Sequence, residues 1–350
     1  MNTDLYQLVR KNILSLKPYA SARDEFKGVA SVFLDANENA YGSPLGHDFN
    51  RYPDPVQNDL KSAVAKIKGV PVQNIFIGNG SDEVIDLAIR IFCEPGEDEI
   101  IICPPTYGMY QVSAHINNVG IRKVPLLPNF GLDVAGILNA VKPGTKIIFI
   151  CSPNNPTGNN MAQQDVIELA ERFSGLIVID EAYINYSRQP SFISSLTRFA
   201  NLLVMQTLSK AWGLAGLRIG LAFGSEDLLA LFNKVKPPYN IGIASQQLAI
   251  DALKNAAQVN GWIRDTVKER ERVIAALLQL PCILEVYPSD ANFILVKTDG
   301  ADALYNYLTE KKIVVRNRSR EFMCEDCLRI TVGTPVENIL LLEALIDYRK

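Results

Sequence analysis

The strongest constraint in this 350-residue chain is an alternation. Between residues 74 and 209, short and nearly continuous Ile/Val/Leu runs take turns with longer stretches of helical spacing. The runs are "NIFIGNG" (74–80), "DEIIIC" (98–103), "TKIIFICS" (145–152), "GLIVID" (175–180) and "NLLVMQTLS" (201–209). Runs that are apolar at almost every position suit strands buried on both faces, as in a parallel sheet covered by helices on each side. "SDEVIDLAIRIFC" (81–93) keeps Val84, Ile85, Leu87, Ala88, Ile91 and Phe92 at helical spacing, and "MAQQDVIELAERF" (161–173) is a second such helix. Ser81 is the expected N-cap of the first, with Asp82 and Glu83 at the positive end of its dipole.

From about 245 to 279 the pattern is helical for a long stretch. A second, shorter set follows: "ANFILVK" (291–297), a helix over 300–312, "IVVRN" (313–317), "CLRITVG" (327–333) and a closing helix from Pro335. The fold class expected is therefore α/β, with a large domain over 41–250 built on a mostly parallel central sheet and a smaller α/β C-terminal domain over 251–350. Residues 1–40 are expected to form an arm packing on the small domain or on a partner.

Composition narrows the function. A net charge of −3, with no basic tail, gives no footprint for nucleic acid or an anionic membrane. No apolar run approaches the roughly 18 residues of a membrane span, and the amphipathic N-terminus lacks a signal-peptide core. Six scattered cysteines show no disulfide-framework spacing, so a reducing cytoplasm is expected. "CEDC" (324–327) is a lone Cys-x-x-Cys in a chain with two histidines, so no metal site is expected.

In open α/β sheets ligands gather beyond the carboxyl ends of the strands. There the runs are followed by "GNGSDE", "PPTYG", "SPNNPTG", "DEAY" and "TLSK". The first offers free N–H groups at a helix start, a phosphate site in principle, although it is neither a Walker loop nor a dinucleotide fingerprint. Asn155 sits in an Asn-Pro turn whose plain alternative is an ordinary loop. Asp180 ends the run "LIVI", where a carboxylate is costly unless it meets a positive partner or caps a helix. Lys210 follows a strand and is wrapped in small residues. It is either a turn lysine or an amine of depressed pKa, able to condense with an aldehyde. Pyridoxal phosphate needs all of these groups at once: a lysine, an acid for its ring nitrogen, and amides, hydroxyls and an arginine for its phosphate.

The order Asn155, Asp180, Tyr183, Lys210, Arg218 resembles that of the fold-type I pyridoxal phosphate enzymes, through "SPNNPTG", "VIDEAY" and "TLSKAWGLAGLRIG". Within them the chain is most similar to the histidinol-phosphate aminotransferases. That likeness rests on "LKPYASAR" (16–23), "LDANENAYG" (34–42), "RYPDP" (51–55), "GNGSDE" and "VVRNRS…CLRITVG". The resemblance implies pyridoxal 5′-phosphate as cofactor and Lys210 as the residue that binds its aldehyde and shuttles the proton. It implies Asp180 on the pyridine nitrogen, Asn155 and Tyr183 on the phenolic oxygen, and Tyr107 on the ring face. Ser81, Asp82, Thr207, Ser209 and Arg218 would surround the phosphate, with Tyr52 reaching the site of a second subunit in a homodimer.

For substrates, the resemblance implies Arg329 on carboxylate and phosphate, Arg316 assisting with the phosphate and Tyr19 closing the site. Arg316 also lies in a basic stretch with Arg318 and Arg320, whose plain alternative is a solvated edge. Glu38 stands near the expected entrance. Trp212 falls where an aromatic such as phenylalanine is expected and implies no change of reaction. The reaction implied exchanges an amino group between glutamate/2-oxoglutarate and an imidazole-bearing amino-alcohol phosphate. The alternatives are a threonine-phosphate decarboxylase or a broad aromatic aminotransferase.

Overall fold

The structure, a computed structural model, describes residues 5–19, 31–46 and 49–348. Seven strands form the main sheet: β1 (Ile75–Asn79), β2 (Glu99–Ile102), β3 (Gly120–Lys123), β4 (Thr145–Cys151), β5 (Leu176–Asp180), β6 (Leu202–Thr207) and β7 (Ile219–Phe223). Their spatial order is β1-β7-β6-β5-β4-β2-β3. From β3 across to β6 all pairings are parallel, and β7 runs antiparallel to both of its neighbours. β5 and β6 are buried along their whole length, which is why their sequences are apolar at nearly every position. Alternate residues feed two cores, one per face. Ile177, Ile179 and Val204 join one, while Val178, Leu203 and Met205 join the other.

Three strands were not expected. β3 is a short, polar edge strand, and β7 was hidden within a Gly-rich stretch. β8 (Ile283–Val286) is partly exposed and lacks a continuous apolar run.

The helix after β1, here α4 (Gly80–Phe92), follows α1 (Leu5–Leu8), α2 (Lys11–Ser15) and α3 (Asn58–Lys68). Its apolar stripe is fully buried, as its spacing requires. Its start differs from expectation: Ser81 is not the N-cap. The helix begins at Gly80, whose φ of +75° carries the chain directly out of the strand, a conformation open chiefly to glycine. Glu83 reaches back to accept from the N–H of Asn79, the residue that precedes the helix, and no side chain among the described residues caps the first turn. Gly220 of β7 is required for a different reason. A Cβ there would lie 2.3 Å from the Gly80 carbonyl carbon, so the α4 turn packs directly on β7.

Further along come α5 (Met109–Ile116), α6 (Val134–Ala140), α7 (Gln163–Arg172) and α8 (Glu226–Val235). The long helical stretch divides into α9 (Ile243–Leu253) and α10 (Ala256–Leu277). At the break the Asn255 side chain donates to the Asp251 carbonyl, the local bonding by which asparagine competes with a continuous helix. Val259 near the start of α10 packs with the large core; Val273 and Leu277 near its end pack with the small one.

The small sheet is antiparallel, ordered β10 (Arg316–Asn317), β11 (Cys327–Thr331), β9 (Phe293–Thr298), β8. It is covered by α11 (Ala301–Glu310) and α12 (Pro335–Asp347). α12 opens with a Thr334/Glu337 capping box and Pro335 in its first turn. The strand expected at 313–317 contracts to Arg316–Asn317.

The start of the arm packs on the large unit of its own chain, where the small domain was one of the two expected contacts. Leu5, Val9 and Ile13 are buried in the cluster that holds Phe92 and Phe232. The Arg10 N–H donates to the Ile91 carbonyl at 3.0 Å. This segment therefore lies on α4 and α8 of the large unit, not on the small one. Residues 20–30 of the arm lie outside the described residues.

Candidate active site

The carboxyl ends of β4, β5 and β6 open onto a cavity of about 310 Å³, with the small sheet supplying its far wall. Period-2 alternation decides which strand-end residues face it. Cys151, Asp180 and Thr207 continue the side of the pleat occupied by Phe149, Val178 and Met205, and all three line the cavity.

Asp180 is 3% exposed. Its Oδ2 accepts from the Tyr110 hydroxyl at 2.8 Å and its Oδ1 from the Ala182 N–H at 3.0 Å. Tyr110 is itself fully buried on α5 and stacks on Phe149, with centroids 4.8 Å apart. Burial pushes the Asp180 carboxyl above its ordinary range, while these two hydrogen bonds, and more weakly Lys210, pull it back.

Lys210 extends into the cavity from the loop after β6, with Nζ 5.6 Å from the Tyr183 ring centroid. The residue is accessible from the open mouth, yet the cavity walls remove much of the amine's hydration. That desolvation lowers its pKa first, the cations Arg329 and Arg218 lower it further, and Asp180 opposes them.

At one end of the cavity, Ser81 and Asp82 in the first turn of α4 meet Thr207, Ser209 and Arg218. Thr207 Oγ1 donates to the Ile219 carbonyl at 3.2 Å and accepts from the Ser209 N–H at 3.0 Å, which fixes the loop after β6. Asp82 accepts from Arg218 at 3.4 Å and from the Tyr107 hydroxyl at 3.2 Å. Tyr107 meets Tyr110 edge to face.

At the other end Arg329 reaches out of β11 and donates to the buried Asn155 Oδ1 at 2.5 Å, joining the small sheet to the loop after β4. Its guanidinium carbon stands 5.2 Å from the Phe293 ring centroid. Burial, then Arg318, lowers its pKa. Arg316 is the cross-strand partner of Arg329, and both line the cavity.

One chain thus gathers Ser81, Asp82, Tyr107, Asn155, Asp180, Tyr183, Thr207, Ser209, Lys210, Arg218, Arg316 and Arg329 around a single space. Two expected residues stand apart from it. Tyr52 is 50% exposed and stacks on Tyr239, with centroids 4.5 Å apart. Tyr19 is 76% exposed and borders a separate 140 Å³ groove beside Pro55 and Lys236, so within this chain it does not close the site. Glu38 is engaged within its own segment and does not line the cavity: it accepts from the Tyr52 N–H at 2.7 Å and pairs with the Arg51 guanidinium at 2.6 Å. Trp212 is a core residue.

The sequence reading missed Tyr110, Cys151 and Ala182, and left Arg318 on a solvated edge. Tyr110 had one available signal: it stands one helical turn after Tyr107. Cys324 and Cys327 are free, with burial pushing their thiols up to about 12 and about 11. Among the described residues no cluster could hold a metal, and no helix is long and apolar enough to cross a membrane.

Comparison with known proteins agrees with this geometry. The model of the family "Aminotransferase class I and II" matches residues 23–345. The histidinol-phosphate aminotransferase of Cytophaga hutchinsonii is 51% identical over 348 residues, covering 99% of this chain and 100% of that protein. That of Parabacteroides distasonis is 52% identical over 342 residues, 98% of each chain. Among solved structures, the histidinol-phosphate aminotransferase of Sinorhizobium meliloti in complex with pyridoxal-5′-phosphate superposes with a TM-score of 0.78. It is 26% identical and the match covers 89% of each chain. A lysine, a buried carboxylate and an arginine-lined far wall around one cavity thus sit on a scaffold shared along nearly the whole sequence, and the chain belongs to the class I and II aminotransferases.

Proposed function

We propose that this chain is a pyridoxal 5′-phosphate-dependent transaminase. It exchanges an amino group between glutamate/2-oxoglutarate and histidinol phosphate/imidazole acetol phosphate, a step of histidine biosynthesis. The observation that carries the reading is the convergence of an amine, a buried carboxylate and several guanidiniums on one cavity. The first two serve the cofactor, and the guanidiniums serve substrates bearing carboxylate and phosphate. Near full-length identity of about one half to proteins named for histidinol phosphate supports the choice of substrate.

Two features fit the cofactor. Asp180 is a buried carboxylate whose two donors, a phenol and a backbone N–H, are both neutral, so a protonated ring nitrogen would complete its neutralisation. At the opposite end, a Cβ on Gly80 would come within 2.7 Å of the Arg218 guanidinium. The bare glycine leaves room beside the α4 turn and Arg218, which is what a phosphate needs.

Lys210 would hold the aldehyde, Asp180 the ring nitrogen, Asn155 and Tyr183 the phenolic oxygen, and Tyr107 the ring face. Ser81 and Asp82 through their N–H groups, with Thr207, Ser209 and Arg218, would hold the phosphate. When bound, the group supplies an electron sink that makes the substrate Cα–H acidic. Lys210 Nζ takes the Cα proton, a task for which its lowered pKa raises the share of free amine. Paired with the ring nitrogen, the Asp180 carboxylate would stabilise positive charge there. Arg329, braced by Asn155, orients the substrate carboxylate in one half-reaction and, with Arg316, the phosphate in the other. Tyr52, half-exposed on its own chain, would reach the phosphate site in a second copy, so that a homodimer completes each site. The enzyme would work in the cytoplasm.

The test is a substrate panel on the holoenzyme: histidinol phosphate, phenylalanine, tyrosine and threonine phosphate, each with 2-oxoglutarate. Histidinol phosphate should give the highest kcat/KM, and excess glutamate alone should convert the cofactor absorbance to that of the amine form. Release of CO₂ from threonine phosphate without amino transfer would refute the reading.

A further inference from the structure

We propose that Arg318 is a specificity residue of this site: with Arg316 and Arg329 it forms a three-guanidinium clamp for a dianionic phosphate monoester on the substrate. The inference rests on the transaminase reading above and adds the group that ranks phosphorylated over unphosphorylated amines.

The strand geometry brings the three arginines together. β10 pairs antiparallel with β11, Arg316 facing Arg329 and Asn317 facing Leu328. The Arg318 N–H then donates to the Cys327 carbonyl at 2.9 Å, extending the pairing by one residue. With a side-chain period of two, Arg316 and Arg318 fall on the same face, the one that carries Arg329. All three line the cavity with Lys210.

Arg318 is not a solvated edge residue. Its side chain is 17% exposed and its Nη1 is held by Glu321. Its Nε is buried with no hydrogen-bond acceptor, and so is Nε of Arg329. Two buried guanidinium Nε donors at one wall therefore lack acceptors, while one terminal nitrogen of each, Nη1, is engaged by Glu321 and Asn155 respectively. A ligand with several acceptor oxygens satisfies both, and the guanidinium fork matches phosphate geometry.

Charge points the same way. Among the described residues the one carboxylate paired with these three arginines is Glu321, so three guanidiniums against one carboxylate leave two positive charges. A phosphate monoester places two negative charges on a single group, whereas glutamate spreads its two over carboxylates at opposite ends of the molecule, so that one carboxylate at this wall brings one. The clamp is thus charge-matched to the phosphorylated substrate.

The test compares wild-type, Arg318→Gln and Arg318→Lys holoenzymes with histidinol phosphate, with histidinol and with glutamate. For Arg318→Gln, kcat/KM for histidinol phosphate should fall roughly 10- to 100-fold, chiefly through KM, as expected for losing a charge-assisted contact. The glutamate half-reaction should fall at least several-fold less than that with histidinol phosphate, and an unchanged circular dichroism spectrum and denaturant midpoint verify the fold of the variant. Arg318→Lys should recover part of the loss, and inorganic phosphate should inhibit wild-type more tightly than Arg318→Gln. Equal losses for glutamate and histidinol phosphate, or no loss for either, would overturn the role of Arg318. A wild-type enzyme that does not favour histidinol phosphate over histidinol would overturn the substrate reading itself, and the clamp with it.

Discussion

The Tyr110 hydroxyl donates to Asp180 Oδ2 across 2.8 Å, in a place closed to solvent on both sides. This bond joins α5 to the end of β5 and favours the charged form of a carboxyl that burial would otherwise neutralise. In Tyr110→Phe the Asp180 carboxyl should titrate still higher, since only its ionised form gains from the lost donor. The acid limb of kcat/KM against pH should therefore move to higher pH. At neutral pH, kcat should fall about tenfold, the usual worth of one such bond. An acid limb that stays in place would show that Tyr110 serves packing alone.

Lys210→Ala should lower turnover by at least about 10³-fold, within the range of a lost proton-transfer group. The variant should still take up cofactor through the groups around Ser81 and Arg218. Borohydride treatment should fix cofactor covalently to wild-type and not to the variant. Near wild-type activity would remove Lys210 from the mechanism.

The Lys210 amine is lowered below the ordinary 10.5 by burial first and by Arg329 next. In cofactor-free protein its reaction with an aldehyde should thus reach half-maximal rate at a pH below that of free lysine. Arg329→Leu removes a neighbouring positive charge, which favours the protonated amine, so the midpoint should rise. Rates of pyridoxal phosphate uptake across a pH series measure both shifts, and a midpoint that falls contradicts the assignment.

Arg329→Lys keeps the charge but loses the two-pronged geometry and the bond that braces Asn155. Both half-reactions should weaken, each by roughly 10-fold or more in kcat/KM. If glutamate alone suffers, the phosphate must be held elsewhere, with Arg316 and Arg318 as the remaining guanidiniums.

Gly220→Ala should destabilise the protein by about 2–4 kcal/mol and weaken cofactor binding, because the new methyl group would collide with the backbone of Gly80 and Ser81. Gly213→Ala, at φ +67° with open space around it, should cost only about 1–2 kcal/mol. Denaturant midpoints of the two variants test the contrast. Equal midpoints would show that the α4 turn can move away from β7.

Sequence alone determined the features whose cause is local. The buried parallel strands were legible because burial on both faces forces apolar residues at every position, as in "LIVID" and "LLVMQ". The chemistry after each strand was legible because a parallel sheet sends all those ends to one edge, so Asn155, Asp180 and Lys210 could be assigned to one site before any contact was known. Tertiary structure decided what depends on register and on approach between distant segments. β7 escaped notice because its glycine answers to the backbone of Gly80 on another element. Tyr110 became a partner of Asp180 only when α5 packed beside β2, β3 and α4 and laid the ring against Phe149 of β4. Arg318 passed for a solvated residue until the β10–β11 pairing turned it toward Arg329. Tyr19 and Leu5 found their neighbours by packing that no local period encodes. Periodicity reports the faces a segment must bury, whereas the identity of what meets those faces is set by the closed fold.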